Sequence, residues 1–302
     1  MKKYLILLVV AVAMMGVGCA EKKAQPQDLS FTQLMEQSSP EQIKAWYDGA
    51  SCLSEEYTKA HAAELREQKK LLVFDLDGTL SNHKCPMPEA NRALLDALGK
   101  KYKMAMCGAG NAPRIFKQME QYPIDIVGNY GMQHAKVVDG ELQITKQIVC
   151  EVDANFFQEK TDYLRAKYGY TEFDGESLEF HKTGMVTFAL LGTKAAKEKK
   201  IVFDPDRAKR RVMYPEVLEI FKDYTVFIGG SSSFDIVGKQ YNKYDATLEY
   251  AKMLGYTKEQ VLFMGDDMGD GGGDSHVRLG GIDYIHVLDY NKIPEMLAFL
   301  LE

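Results

Sequence analysis

From residue 71 onward the chain alternates short apolar runs with amphipathic stretches: 71–74 is wholly apolar, 88–100 is amphipathic, and 103–107 is again largely apolar. Brief runs of this kind suit strands buried on both faces, and the amphipathic stretches suit helices laid over them, so the alternation predicts a parallel α/β sheet. A helix opened by Asn111 and Pro113 and running through Met119, then a strand over 124–127, continue the series. It resumes near Tyr224, with strands expected at 226–228, 261–264 and 284–287 and helices at 244–254 and 294–301.

Between 136 and 223 the alternation is interrupted by expected strands at 177–180 and 185–191 and expected helices at 155–168 and 204–211. A block of this kind set between strands of one sheet reads as an inserted α+β cap, over 136–223, on a doubly wound parallel-sheet core built from 70–135 and 224–302. Upstream, 31–69 reads as helical, with Pro40 opening one helix and Ala60, Ala63 and Leu65 spaced along another, and no chemistry is assigned to it. The first residues differ from everything that follows. Lys2 and Lys3 precede an apolar run over 4–18, too short for the roughly 20 residues that cross a bilayer, which reads as an export leader. Small residues running into Cys19 resemble a bacterial lipoprotein cleavage box, with Gly16 where such boxes usually carry Leu. The resemblance implies a leader over 1–19, a lipid on Cys19, and a tether and helical extension over 20–69. The expected location is a membrane-anchored lipoprotein facing the periplasm or the cell surface, with soluble secretion to the periplasm as the alternative.

Composition changes this picture only by exclusion. With 302 residues, 46% hydrophobic, and a net charge of −6, the chain can bury a sizeable core, but it lacks the basic excess that nucleic acid or an anionic membrane surface requires. The expected partner is a small molecule, with membrane contact only through the N-terminal anchor. Nothing in the pattern bears on oligomeric state. Cys52, Cys85, Cys107 and Cys150 lack zinc-site spacing and are compatible with either disulfides or unpaired thiols. The lysine-rich run at 194–200 reads as a solvated turn.

Candidate chemistry sits where expected strands end. The string FDLDGTL places Asp75 and Asp77 at the carboxyl edge of the first strand, where open α/β sheets bind ligands. A second apolar strand runs into MGDDMGDGGGD, which delivers Asp266, Asp267 and Asp274 to the same edge. FDLDGTL resembles the first signature of the haloacid dehalogenase superfamily. That resemblance implies that Asp75 attacks phosphorus to form an aspartyl phosphate, that Asp77 serves as general acid and base, and that Thr79 bonds the loop or the phosphate. It also implies Mg²⁺ as cofactor, held by Asp75, Asp266 and the Asp77 carbonyl, with Asp274 a direct or supporting ligand. Lys243, at the start of a helix in YNKYDATLEY, matches the lysine that neutralises the nucleophile and the transferred group. CGAGN at 107–111 follows a strand and precedes a helix, so Gly108 and Asn111 are expected at a phosphate, although the hydroxyl usual in the superfamily is missing there.

From 71 to about 290 the order of segments looks like the eukaryotic-type phosphomannomutases, most clearly in IGGSSSFDIVGKQYNK, FDPDRAKR and LEFHKTGMV. That likeness assigns sugar hydroxyls to Ser233 and Asp235. The family holds a remote phosphate with arginines around the stretches matched here by 174–182 and 191–194, and this chain has none in either, leaving His181, Lys182 and Lys194 as the nearest cations. The expected activity is therefore Mg²⁺-dependent hydrolysis of a phosphomonoester, with a sugar as the expected alcohol. A phosphomannomutase-like transfer and a non-catalytic binding lipoprotein are the alternatives.

Overall fold

The computed structural model describes residues 29–302, and the leader, Cys19 and the tether expected at 20–27 lie outside the described residues. Among the described residues, eleven strands form two sheets: β1 Leu71–Phe74, β2 Lys103–Cys107, β3 Asp125–Gly128, β4 Gln133–Val138, β5 Glu141–Gln147, β6 Leu178–Phe180, β7 Val186–Ala189, β8 Tyr224–Phe227, β9 Ser233–Gly238, β10 Val261–Gly265 and β11 Tyr284–His286. The first sheet runs β11-β10-β1-β2-β3-β4-β5. Its first five strands are parallel, and β4 and β5 are antiparallel.

The central strand β1 is buried on both faces, as its unbroken apolar run requires. Leu71 and Val73 enter one apolar cluster with Tyr244, Tyr250 and Phe263. Leu72 and Phe74 enter the opposite cluster with Leu94, Leu95, Met106 and Ile115. Period-two alternation thus fixes the strand between two helical layers. In register, Phe74 stands beside Met264 of β10 and Met106 of β2, so three neighbouring strands end at one level.

The second sheet is antiparallel, in the order β6-β7-β9-β8. It packs with helices Ala154–Tyr168 and Ala208–Ile220 around Phe157, Phe188, Val217, Phe221 and Phe234. Here the structure departs from the sequence expectation. The strand expected at 226–228 within the parallel sheet is β8 of the second sheet, because Val226 and Ile228 share that second apolar cluster. Conversely, β5 pairs with β4 in the first sheet. The helix expected at 204–211 begins only at Ala208: Pro205 disfavours helical backbone at Asp204, which lies outside the helical region at φ −156° and ψ 62°. The expected helix at 294–301 is a short turn, Ile293–Met296, followed by a 3-10 turn.

Ahead of β1, helices Phe31–Gln37 and Pro40–Tyr47 each start in a capping box, Ser30 with Gln33 and Ser39 with Gln42. The first leans on the first sheet through buried Leu34 and the second through partly buried Trp46. Among the described residues, Cys52, Cys85, Cys107 and Cys150 are all unpaired, and no helix is long and apolar enough to cross a membrane.

Candidate active site

Asp75 leaves β1 with its amide donating to Met264 O at 2.9 Å, which pins it level with the end of β10. The chain must then turn at once. Gly78 does so at φ +97°, donating its amide to Ser81 O at 2.8 Å, and a Cβ there would lie 2.5 Å from the Asp266 carboxylate. Only glycine meets both the backbone angle and the close approach. Asp266 follows β10 directly, and Asp274 closes the glycine-rich loop with its Oδ2 accepting from Asp267 N at 3.0 Å.

Lys243 is the first residue of helix Lys243–Met253, whose end is capped by Asn242 accepting from Asp245 N. A cation at a helix N-terminus opposes the macrodipole, so its partners must hold it there. They are Asp75 Oδ1 at 2.6 Å and Asp274 Oδ1 at 2.7 Å, all three side chains nearly excluded from solvent. Burial would lower the Lys243 pKa, but Asp274 and Asp75 outweigh it and hold the ammonium charged well above its ordinary range. Burial, reinforced by Asp274 and Asp77 against the opposing Lys243, pushes Asp75 up to about 7. Burial and the charges of Asp75, Asp274 and Asp267 push Asp266 up to about 8.

One carboxylate oxygen from each of Asp75, Asp266 and Asp274 lies within 4.8 Å of the other two. Two buried carboxylates and the partly buried Asp266, facing Lys243, call for another cation, and hard oxygen donors suit Mg²⁺. Asp75 and Asp266 line the cavity, whereas Asp274 is fully buried with both oxygens already engaged. Asp274 therefore fits a supporting place, holding Lys243 and the loop, better than a direct ligand position. Asp77 is the best-held acid. Burial alone would raise its pKa, but Arg114 Nη2 at 3.3 Å, Gln118 Nε2 at 2.6 Å and the Lys84 amide at 2.8 Å keep it below the usual range.

These groups form one wall of a cavity of about 230 Å³. Gly108 to Asn111 form another. The Gly108 amide donates to Val127 O and the Asn111 side chain caps the next helix through Arg114 N, whereas no hydrogen bond within the described residues uses the amides of Ala109, Gly110 and Asn111. Cys107 does not replace the missing hydroxyl: it is fully buried and its thiol is pushed up to about 12 by burial. The second sheet supplies the far wall with Ser233, Asp235, Thr187, His181 and Glu179. Asp235 accepts from Thr187 Oγ1 at 3.0 Å and Tyr130 Oη at 3.2 Å, and burial raises its pKa.

One expected position is corrected. Lys182 is exposed and off the cavity, because it lies in the turn between β6 and β7. Of the two roles expected for Thr79, the geometry favours the loop: it is fully buried behind the wall, its hydroxyl donating to Asp266 at 3.4 Å. The structure also adds residues that sequence spacing did not single out. Arg114 and Arg207 line the cavity, and Arg207 Nη1 donates to Asp267 Oδ1 at 2.5 Å. Arg114 lies three residues past Asn111, one helical turn on, and Arg207 lies inside FDPDRAKR, so both carried a positional signal. Tyr130 carried none.

The chain is similar to known proteins over most of its length. A phosphomannomutase from Encephalitozoon cuniculi is 26% identical over 250 residues, spanning 77% of this chain and 95% of that protein. A Saccharomyces cerevisiae phosphomannomutase is 25% identical over 232 residues, spanning 72% and 88%. Among solved structures, an IMP-bound IMP-nucleotidase from Plasmodium falciparum superposes with a TM-score of 0.56 at 16% identity, over 81% of this chain and 71% of that one. The C-terminal domain of a Candida albicans trehalose-6-phosphate phosphatase gives 0.53 at 17%, over 83% and 98%. The haloacid dehalogenase-like hydrolase family model matches residues 72–271, from within β1 into the acidic loop, and the chain belongs to that family as an enzyme of its phosphatase and phosphotransferase type.

Proposed function

We propose that this enzyme hydrolyses a small phosphomonoester in a Mg²⁺-dependent reaction with Asp75 as nucleophile. The observation that carries this is Lys243 bridging Asp75 and Asp274 at 2.6 and 2.7 Å beside Asp266, at the level where β1, β2 and β10 end. Asp75 attacks phosphorus through the oxygen not held by Lys243. The phosphorus–ester oxygen bond breaks, and Asp77 gives the departing alkoxide its proton. Asp77 then takes a proton from water as the water oxygen attacks phosphorus, which frees inorganic phosphate and regenerates Asp75. Asp77 must hold that proton against Arg114, so substrate entry that draws Arg114 toward phosphate would release the acid for its work. Lys243 and the free amides at 109–111 offset charge on the phosphoryl oxygens. When bound, Mg²⁺ supplies positive charge at the transferring phosphoryl group, and Asp75, Asp266 and the Asp77 carbonyl are the residues to hold it.

Hydrolysis is favoured over mutase chemistry by the cations. A mutase must hold two phosphates, yet if Arg114 moves to the first, Arg207 is paired with Asp267, and the far wall carries Asp235 and Glu179 beside His181, so His181 and the exposed Lys84 are what remain for a second. The leader-like residues 1–19 support export and a lipid at Cys19, placing the enzyme where water is the ready acceptor; metabolic labelling with a fatty-acid analogue, lost in Cys19→Ala, tests this. The activity itself is tested by phosphate release from a panel of phosphomonoesters with and without Mg²⁺, beside Asp75→Asn. Release that requires both the metal and Asp75 is expected. Isomerisation of glucose 1-phosphate with added bisphosphate, without net phosphate release, would select the mutase instead.

A further inference from the structure

Gly128 to Gly131 connects β3 to β4 in a turn that no motif singled out, and it holds two consecutive non-glycine residues in left-handed backbone: Asn129 at φ 46° and Tyr130 at φ 55°. Such backbone is costly for residues with a Cβ and persists only where surroundings dictate it. Here both residues are about 1% exposed.

Their backbone and side chains grip the loop after β2. Asn129 N donates to Gly110 O at 2.9 Å, Asn129 Nδ2 to Ala109 O at 2.9 Å, and Tyr130 N to Gly108 O at 3.3 Å. Three of the four carbonyls of that cavity wall are thus tied to one turn, and the amides of Ala109 to Asn111 remain free for a ligand. Gly128 packs so closely that a Cβ would lie 2.9 Å from Gly110 O and Ala112 N. The same turn reaches the opposite wall. Tyr130 stacks on Phe227 of β8, with ring centroids 4.3 Å apart and planes 7° apart, and its hydroxyl donates to Asp235 Oδ2. Thr187 and His181 continue this chain of hydrogen bonds on β7 and beside β6.

We propose that Tyr130 is a positioning residue that fixes the distance between the phosphate-facing loop and the Asp235 end of the cavity, and so selects phosphomonoesters carrying a hydroxyl group at one set separation from phosphorus. The left-handed pair is what lets one residue face both walls: in extended backbone, the Tyr130 amide and ring could not serve Gly108 and Asp235 together. The remote end presents carboxylate and hydroxyl groups, Asp235 and Thr187, which accept hydrogen bonds from substrate hydroxyls and repel a second phosphate. This inference rests on the hydrolase activity proposed above.

The test compares kcat/KM of the full chain for p-nitrophenyl phosphate, whose alcohol has no hydroxyl to offer Asp235, with that for the best-cleaved member of a hexose and pentose phosphate panel. Tyr130→Phe keeps the ring stack and deletes only the Asp235 bond. The ratio of sugar to aryl ester is expected to fall about tenfold in this variant, mostly through KM. Asn129→Ala, which loosens the phosphate loop, is expected to weaken both substrates alike and leave the ratio within about twofold. Equal losses on both esters in Tyr130→Phe, or a wild type without preference for the sugar ester, would overturn the positioning role while leaving the Asp75 chemistry standing. Failure of every ester to release phosphate through Asp75 would instead remove the hydrolase itself, and the positioning role with it.

Discussion

At the scale of single residues the site is a charge problem. Buried Asp75 and Asp274 and partly buried Asp266 lie within reach of one another, and Lys243 is the cation bonded to two of them. Breaking a buried ion pair from one side leaves uncompensated charge, with a typical cost of about 3–5 kcal/mol. Lys243→Met is therefore expected to lose about that much stability in denaturant titration. It should also lower kcat by on the order of 10²–10³-fold, the scale of a deleted charge-stabilising donor. The variant has a directional signature as well. Lys243 opposes the burial that lifts Asp75 to about 7, so without it Asp75 of the metal-free chain holds its proton to still higher pH, which an NMR titration of that carboxyl without Mg²⁺ should show as an upward shift. An unshifted carboxyl would mean that Lys243 does not set the charge of Asp75. The lysine was legible in the sequence through its place before β10, and so were the aspartates. Arg114 and Arg207 were not assigned, because their roles depend on which loops the fold folds back over the sheet edge.

At the scale of elements, strand ends do the assembling. β1, β2 and β10 finish in register, and a turn after each delivers its groups to the shared edge. The turn after β1 depends on Gly78. Gly78→Ala would place a methyl group 2.5 Å from the Asp266 carboxylate at a backbone angle that alanine resists. A displacement of about 1 Å at a catalytic carboxylate is enough for roughly a 10²-fold loss, so kcat should fall by about that factor, with a smaller drop in the midpoint of thermal unfolding. Wild-type turnover in this variant would show that the Asp266 position is irrelevant to rate. The elements around this turn were readable, since runs such as LLVF and VLFMG are too apolar for anything but strands covered on both faces. β9 was not: IGGSSSFD presents glycine and serine ahead of its apolar residues, and only pairing with β7 and β8 reveals a strand. The β4–β5 hairpin did carry a signal. Asp139 and Gly140, both at positive φ, are the dipeptide that favours a two-residue hairpin turn.

At the scale of the whole molecule, the second sheet is fastened to the first at the active site. Arg207 meets Asp267, Ile228 N donates to Gly271 O at 2.7 Å, and Tyr130 reaches Asp235. Stability elsewhere in the first sheet is set partly by a residue with no such partner. His134 on β4 is 2% exposed, and neither ring nitrogen has a hydrogen-bond partner among the described residues. The groups facing it are Tyr250, edge-on at 6.2 Å, together with Lys146 and Glu249. Burial first, then the Lys146 charge, lowers its pKa below the ordinary value of 6.5 despite Glu249. The unfolded chain consequently binds a proton more readily than the folded one. Below about pH 6.5 protonation favours unfolding, so His134 makes stability fall as pH drops through that value and on toward the folded pKa, where the slope ends. Replacing a buried, unpartnered polar ring with an apolar side chain removes a desolvation cost of about 1–3 kcal/mol, partly offset by imperfect packing. His134→Leu should therefore be at least as stable as wild type at pH 7 and exceed it by a wider margin at pH 5, measured by urea unfolding at both values. A margin that is the same at both pH values would show that His134 is already solvated in the folded chain and takes up its proton there as readily as in the unfolded one.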